Sequence, residues 1–514
     1  MSATRIFPDS QKTQKTGDFP IVIVGSGFSG LCMGILLRKA GIESFTILEK
    51  ADEVGGTWRD NTYPGAACDV QSYLYSYSFE PRTDWSRAFS PQPEILDYLR
   101  HCARKYDLYR HIRFGSEVEK GVFDERTGTW TVHVRNAAPV KARALVMGTG
   151  ALHIPAYPSF KGMDRFEGRT FHSARWDHGY DLAGKTVAVI GTGASAIQFV
   201  PEIQPKVKKL HLFQRTAPWV LPKPDRRMKD WEHTLFRSVP AAQWLHRAGL
   251  YWTLESRVLG FAVDPRLLMM AEKLGIRYLN KVVKDPELRR KLTPDYHMGC
   301  KRILMSNDYY QSLCQPNAEV VTEAIDCITP RGIRTKDGTE RPVDAILFGT
   351  GFSVTESLAP VPLQGLGGQD FNDAWRKSPG AYYGITRSGF PNLYIMMGPN
   401  TGLGHNSMVF MIEAQARYAV QCIGKLRSRR LAWMDVRQDV ESAQFWSIQK
   451  KLRKSVWASG CKSWYQAEDG TNPTLWPGFT FDYWLQTRRV KLGDYVLRKE
   501  EDALPLAAPV PATA

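Results

Sequence analysis

The sequence predicts an α/β fold made of two parallel-sheet units with a helical insertion, and three observations carry that prediction. An apolar strand, Ile21-Val-Ile-Val24, runs into Gly25-Ser-Gly27-Phe-Ser-Gly30. A second, Val187-Ala-Val-Ile190, runs into Gly191-Thr-Gly193-Ala-Ser-Ala196. Residues 225–292 are rich in Arg, Lys, Leu and Trp at helical spacing and poor in strand signals. Strand, glycine loop and helix is the plan of a dinucleotide-binding βαβ unit, where the N–H groups of a helix N-terminus meet a pyrophosphate. Two Rossmann-like dinucleotide-binding domains in one chain are therefore expected.

In the first unit the helix is expected over Leu31 to Lys39, ended by Gly41, with a return strand Phe45-Thr-Ile-Leu-Glu49. Gly25 permits the tight turn, Gly27 lets backbone approach a pyrophosphate, and Gly30 lets helix and strand pack closely. Glu49 accepts hydrogen bonds from ribose hydroxyls and repels a 2′-phosphate, which suits FAD or NAD rather than NADP. Short strands follow, among them Trp130–Val134 and Ala144–Met147. The latter ends in Gly148-Thr-Gly150, and Pro155 and Pro158 mark a linker.

In the second unit the helix opens at Ala194 to Val200 and the return strand is Leu210–Gln214. Ala196 replaces the third glycine and is still small. At the end of the return strand Gln214-Arg215-Thr216 stands where an acid would favour NADH. Arg forms bidentate bonds to phosphate, so this site reads as NADPH-binding. Asp344–Phe348 is a further buried strand ending in Gly349-Thr-Gly351, and Met397-Gly-Pro-Asn400 precedes a helix. The expected division is 1–150 with 386–514 as an FAD-binding domain, 151–222 with 297–385 as an NADPH-binding domain, and 223–296 as the insertion. The Ala/Pro-rich tail Ala503–Ala514 reads as disordered.

The 514 residues carry a net charge of +16. Without a nucleic-acid motif this reads as a solvated basic surface plus local charge for phosphate-bearing cofactors. No uncharged apolar run of about 18 residues occurs, so no membrane span is expected. The first residues lack an apolar leader core, and a cytoplasmic setting is expected. The eight cysteines show neither a C-x-x-C pair nor metal-site spacing with His. Reduced thiols and no metal site are expected.

Four segments narrow the chemistry. They are Gly55-Gly56-Thr57-Trp58 with Tyr63-Pro-Gly-Ala-Ala-Cys-Asp69; the stretch Phe166-Glu-Gly168-Arg-Thr-Phe-His172-Ser-Ala-Arg-Trp176-Asp177; Gly299-Cys-Lys301-Arg302 running to Tyr309-Tyr310; and Lys462-Ser-Trp464-Tyr465. Together they resemble the motifs of type I Baeyer–Villiger monooxygenases over roughly residues 20–490. The resemblance implies that FAD reduced by NADPH reacts with O2 to give a C4a-peroxyflavin, which converts ketones to esters or lactones. It implies that Gly56, Thr57 and Trp58 lie along the FAD. Arg215, Thr216 and Lys301 would meet the 2′-phosphate, and Trp464 the nicotinamide nucleotide. Arg302 is the implied catalytic residue, oriented by Asp69. Phe166, Gly168, His172, Trp176 and Asp177 would couple nucleotide binding to domain movement.

Ala66-Ala67, Ala151-Leu152 and the loop Gly398-Pro399-Asn400 with His405-Asn406-Ser407 depart from the better-known ketone oxidisers. The departures leave substrate range open. The alternative is an N- or S-oxygenating flavin-containing monooxygenase; the Trp-Asp ending and the Asp69/Arg302 pair weigh against it. The aromatic stretch Trp244–Phe261 either shapes an entrance for hydrophobic ketones or packs the insertion. Oligomeric state is not readable from the sequence.

Overall fold

Apolar β-branched runs at both glycine loops become central strands of two separate five-stranded parallel sheets. The computed structural model describes residues 19–353, 361–377, 380–461, 463, 465–467 and 469–502. The expected disordered tail Ala503–Ala514 and the residue Trp464 lie outside the described residues.

The first sheet has the strand order Leu393–Ile395, Ala144–Met147, Ile21–Val24, Phe45–Leu48, Ile112–Arg113. Ile21–Val24 is central, in register with Phe45–Leu48 on one side and Ala144–Met147 on the other. All four of its residues are buried, as expected of a parallel strand covered on both faces. Helix Phe28–Lys39 follows directly from the glycine loop, and its buried Leu31, Ile35 and Leu37 pack on the sheet and on helix Met408–Ser428.

The second sheet repeats the plan with the order Ala318–Val321, Lys209–Phe213, Thr186–Ile190, Ala345–Phe348, Arg169–His172. All its pairings are parallel. Helix Ala196–Ile203 covers one face through Phe199, Val200 and Ile203. Smaller sheets flank both units; in one, Val118–Asp124, Thr129–Val134 and Val140–Ala142 pair antiparallel.

Residues 361–385 were expected with the second unit, but the described part of this span packs on the first. Leu363–Gln364 pairs parallel with Val118–Asp124. Val361, Leu363, Phe371 and Trp375 share one core with Val22, Val24 and Trp130. The cause is physical: these side chains are large and apolar, and the face left open beside Trp130 accepts them.

The span 230–292 is helical: Asp230–Ser238, Pro240–Glu255, a π-turn Leu259–Val263, Leu268–Val282 and Pro286–Leu292. Pro240 and Pro286 stand at first helical positions, where a missing N–H costs nothing. The helices divide between the two cores. Phe236, Phe261 and Leu268 join the first core, whereas Leu279, Val283 and Leu292 join the second. Helix Pro240–Glu255 is also bonded to the first unit: Gln243 Nε2 donates to Arg82 O at 2.7 Å and Arg247 Nη2 to Ser76 O at 2.8 Å.

The expectation of reduced thiols throughout is corrected at one pair. Cys300 and Cys461 form a disulfide across a sequence separation of 161. Neither spacing nor motif points to it, because folding alone brings the two residues together.

Candidate active site

At the first glycine loop each glycine has its own steric reason. Gly25 has φ +93°, and a Cβ there would lie 2.8 Å from Gly148 O. A Cβ on Gly30 would lie 1.8 Å from Gly25 O. Beside Gly27 the nearest atom is Gly56 Cα, 3.7 Å from the position of a Cβ, so that side of the loop is open. The first-turn N–H groups of helix Phe28–Lys39 have no intrahelical acceptor by construction and face this opening. Glu49 is buried, with Oε2 accepting Ser26 N and Oγ, each at 2.8 Å, and Oε1 3.2 Å from Arg59 Nη1. The Gly55–Trp58 loop is held against the same turn by Gly55 N donating to Ser26 O at 3.1 Å. Thr57 opens the short helix Thr57–Asp60, and Trp58 Nε1 donates to Tyr75 OH at 3.1 Å. An open glycine turn, unpaired helix N–H groups and a carboxylate at the strand end form a donor and acceptor set that fits a dinucleotide such as FAD.

The second loop has the same construction. Gly191 has φ +107°, and its Cβ would lie 2.4 Å from Gly349 O; Gly193 is open, with nothing nearer than 3.8 Å. Ala196 packs at 3.1 Å from where a Gly349 Cβ would stand, so a small residue suffices here. Thr192 Oγ1 donates to Thr216 O at 3.2 Å, which draws the end of the return strand over the loop. Arg215 is exposed. Lys301 stacks its Nζ 4.6 Å over the Tyr296 ring, and its pKa is lowered by burial and then by the charge of Arg215. Two cations that repel each other at the end of a return strand fit a phosphate dianion, which relieves the repulsion.

The structure brings Asp69 and Arg302 together from 233 residues apart: Arg302 Nε and Nη2 donate to Asp69 Oδ2 at 2.9 and 2.5 Å. The Arg302 and Asp69 side chains keep 39% and 35% of their surface accessible, so the pair can meet a ligand. Burial opposes the Asp69 charge, but Arg302 and Lys223 outweigh it and hold the carboxyl below its usual range. Asp69 in turn holds the Arg302 guanidinium above its ordinary value, against partial burial.

Two neighbours of this pair were not singled out by sequence. Lys223 donates from Nζ to Cys68 O at 3.3 Å, and Tyr465 hydrogen-bonds Arg302 from a buried position. Tyr465 stands beside a Trp that attracted attention as an aromatic; its own signal was adjacency to the Lys-Ser-Trp segment. Lys223 had none, since a lysine after Leu-Pro looks like a surface charge.

The fingerprint residues divide among three settings. His172 is fully buried at the end of strand Arg169–His172; its Nδ1 accepts Ala174 N at 3.1 Å, and Nε2 lacks a well-formed hydrogen bond. Burial lowers its pKa to about 4, against the backbone of Gly351, so the imidazole is neutral at pH 7 and is no proton donor there. Trp176 meets Phe171 edge-on at 5.1 Å and Phe199 at 5.4 Å. Asp177 is paired with Arg169, whose Nε donates at 2.7 Å. Phe166 packs beside the second sheet, and a Cβ on Gly168 would lie 2.5 Å from Asp344 O.

The two nucleotide units are joined by a residue that sequence reading passed over. Gln198, on the helix after the second glycine loop, accepts Tyr63 OH at 2.9 Å and donates to Ala67 O at 3.0 Å. A Cβ on Gly65 would lie 2.7 Å from Gln198 O. The loop that ends in Asp69 therefore rests directly on the second unit's helix. The loop His405-Asn406-Ser407 is tied to the insertion, with Asn406 Nδ2 donating to the buried Glu255 Oε2 at 2.5 Å. Among the described residues no His, Cys, Asp and Glu grouping could hold a metal ion.

Comparison with known proteins gives the same picture. The profile of the flavin-binding monooxygenase-like family matches residues 19–359. A Baeyer–Villiger monooxygenase from Pseudomonas aeruginosa is 50% identical over 95% of this chain and 92% of its own length. Among solved structures, oxidised steroid monooxygenase bound to NADP superposes with a TM-score of 0.83 at 30% identity, covering 94% of this chain and 99% of that one. The OTEMO complex with FAD and NADP superposes at 0.84 with 26% identity, covering 93% and 99%. With its two glycine-loop units and the Asp69–Arg302 pair set between them, the chain belongs to the flavin-binding monooxygenase-like family, and within it to the Baeyer–Villiger monooxygenases.

Proposed function

We propose that this enzyme converts ketones to esters or lactones, with ketone, NADPH, O2 and a proton giving ester, NADP+ and water. The Asp69–Arg302 pair carries this reading. When bound, FAD takes a hydride from NADPH and activates O2 for transfer of one oxygen atom to the ketone. The chain's residues supply binding, orientation and charge. Gly25, Gly27, Gly30, Glu49, Gly56, Thr57 and Trp58 hold the FAD. Gly191, Gly193, Ala196, Arg215, Thr216 and Lys301 hold the NADPH. Arg302 stabilises negative charge on the oxidant and then on the ketone oxygen, as donors of an oxyanion site do, and its guanidinium cannot lose that charge near neutral pH. Asp69 and Tyr465 fix its orientation.

The segment Phe166–Asp177 couples the two units. The support is the contact chain from Trp176 through Phe199 to Tyr63, which leads to the loop bearing Asp69. We assign the first unit to residues 19–150 and 361–502, the second to 151–222 and 297–353, with the helical insertion between 223 and 296. Dependence on NADPH, an intracellular reductant, supports a cytoplasmic setting. No helix of the described residues is long and apolar enough to cross a membrane.

The test is turnover of the FAD-loaded enzyme with NADPH and 18O2 against a ketone panel. Esters carrying one 18O atom, formed in step with NADPH oxidation, are the expected result. NADPH oxidation that yields only hydrogen peroxide across the panel overturns the reading. A second measurement checks the nucleotide assignment. Arg215→Ala should raise KM for NADPH about 10- to 100-fold, the loss of a charge-assisted bond of about 1.5–3 kcal/mol, and leave NADH kinetics unchanged.

A further inference from the structure

We propose that the outer face of the helical insertion is a membrane-surface docking site that seats the enzyme on an anionic lipid bilayer. Most of the exposed large hydrophobic side chains among the described residues fall between Trp231 and Leu274. They concentrate on the π-turn and the start of helix Leu268–Val282, where Leu259, Val263, Leu267, Met269, Met270 and Leu274 all face solvent. Met270 is 73% exposed and Val263 64%. A contiguous apolar tip of this kind is a contact surface on a folded protein.

Charge selects the occupant. Directly beyond the tip the same helix and its continuation expose Lys273, Arg277, Lys281 and Lys284. The acids on this face are already engaged: Asp264 pairs with Arg266, and Glu272 accepts Met298 N at 2.8 Å. An apolar tip with a cationic rim behind it suits insertion of the tip at the headgroup boundary of an anionic membrane, with the cations among the lipid phosphates. A second copy of the chain is disfavoured, because a two-fold contact pairs this face with itself and brings two cation-rich rims to one interface without unpaired acids to balance them. On helix Pro240–Glu255 of the same insertion, exposed Trp244 and Trp252 add amphipathic rings suited to the headgroup layer. Since no helix of the described residues is long and apolar enough to cross a bilayer, the proposed contact is with its surface.

The inner side of the same segment faces the catalytic region. Phe261 and Leu268 stand against Gly299, three residues before Arg302, and Phe261 also against Gly404. The docked face therefore backs onto the segment that carries Arg302. Given the ketone oxidation proposed above, this placement brings a membrane-dissolved ketone to the side of the protein that packs against the Arg302 segment.

The experiment is flotation of the full-length, FAD-loaded enzyme with phosphatidylcholine vesicles, with and without a phosphatidylglycerol fraction. Flotation only with the anionic vesicles is expected. Met270→Asp combined with Leu274→Asp should lower the partition coefficient about 10-fold or more, and Lys273→Glu combined with Lys281→Glu should abolish the preference for phosphatidylglycerol. All four positions are exposed, so turnover of a water-soluble ketone should be unchanged and reports that the variants fold. Absence of flotation by the unaltered enzyme, or flotation of both variants equal to that of the unaltered enzyme, overturns the proposal. So does self-association in sedimentation velocity that the Met270/Leu274 variant abolishes, since the face would then belong to a second copy. None of these outcomes touches the oxygenation reading, which the 18O2 experiment decides by itself.

Discussion

Arg302→Ala should lower ester formation about 10²- to 10³-fold, the range seen when one donor of an oxyanion site is removed. NADPH oxidation should continue, so hydrogen peroxide replaces ester as the main product. The split follows from what Arg302 touches: its guanidinium faces Asp69 and Tyr465 and has no contact with either glycine loop among its hydrogen bonds. Flavin content and NADPH affinity should therefore survive. Arg302→Lys should recover part of the ester yield, because an ammonium restores the charge but not the two-nitrogen grip on Asp69. Ester by gas chromatography, peroxide by a coupled assay and NADPH by absorbance measure all three quantities in one reaction. An alanine variant that loses NADPH oxidation in proportion to ester would instead place Arg302 in nucleotide binding.

Gly30→Ala should yield a protein that purifies without flavin and unfolds at lower temperature. The new Cβ would lie 1.8 Å from Gly25 O, a backbone atom with no side chain to swing away. Helix Phe28–Lys39 must move off the sheet, at an overpacking cost of about 1–3 kcal/mol, and its N-terminus then no longer points at the pyrophosphate. Gly27→Ala is the informative partner. There the nearest atom is 3.7 Å away, so apoprotein stability should be nearly unchanged while FAD affinity falls. Thermal melts of the two variants with and without added FAD separate the effects, since only a bound ligand shifts the midpoint by mass action. Equal apoprotein stability for both variants would refute the steric account of Gly30.

Both glycine units were legible in the sequence because local rules fix them. An apolar run, a turn that demands positive φ and a helix start are set by residues next to each other. Asp69 and Arg302 were legible only through resemblance; nothing local relates residues 233 apart. Gln198, Lys223 and Tyr465 stayed hidden for the same reason. Each is an ordinary polar residue on a helix or loop, and its meaning comes from what folding sets opposite it. The packing of 361–385 on the first unit shows the limit differently. Sequence order places Leu363 after the second unit's strands, but apolar burial follows available surface rather than chain order.

The Cys300–Cys461 bond makes the chain between them a covalent ring that contains Arg302, the second unit's strands Ala318–Val321 and Ala345–Phe348, and much of the first unit's C-terminal half. A single backbone cut anywhere inside that ring leaves one molecule rather than two fragments. A protease that nicks an exposed loop there thus opens the ring without letting the Arg302 segment drift from the segment that carries Tyr465. Under reducing conditions the same nick would release the two pieces, and the tolerance to backbone damage would vanish with the bond.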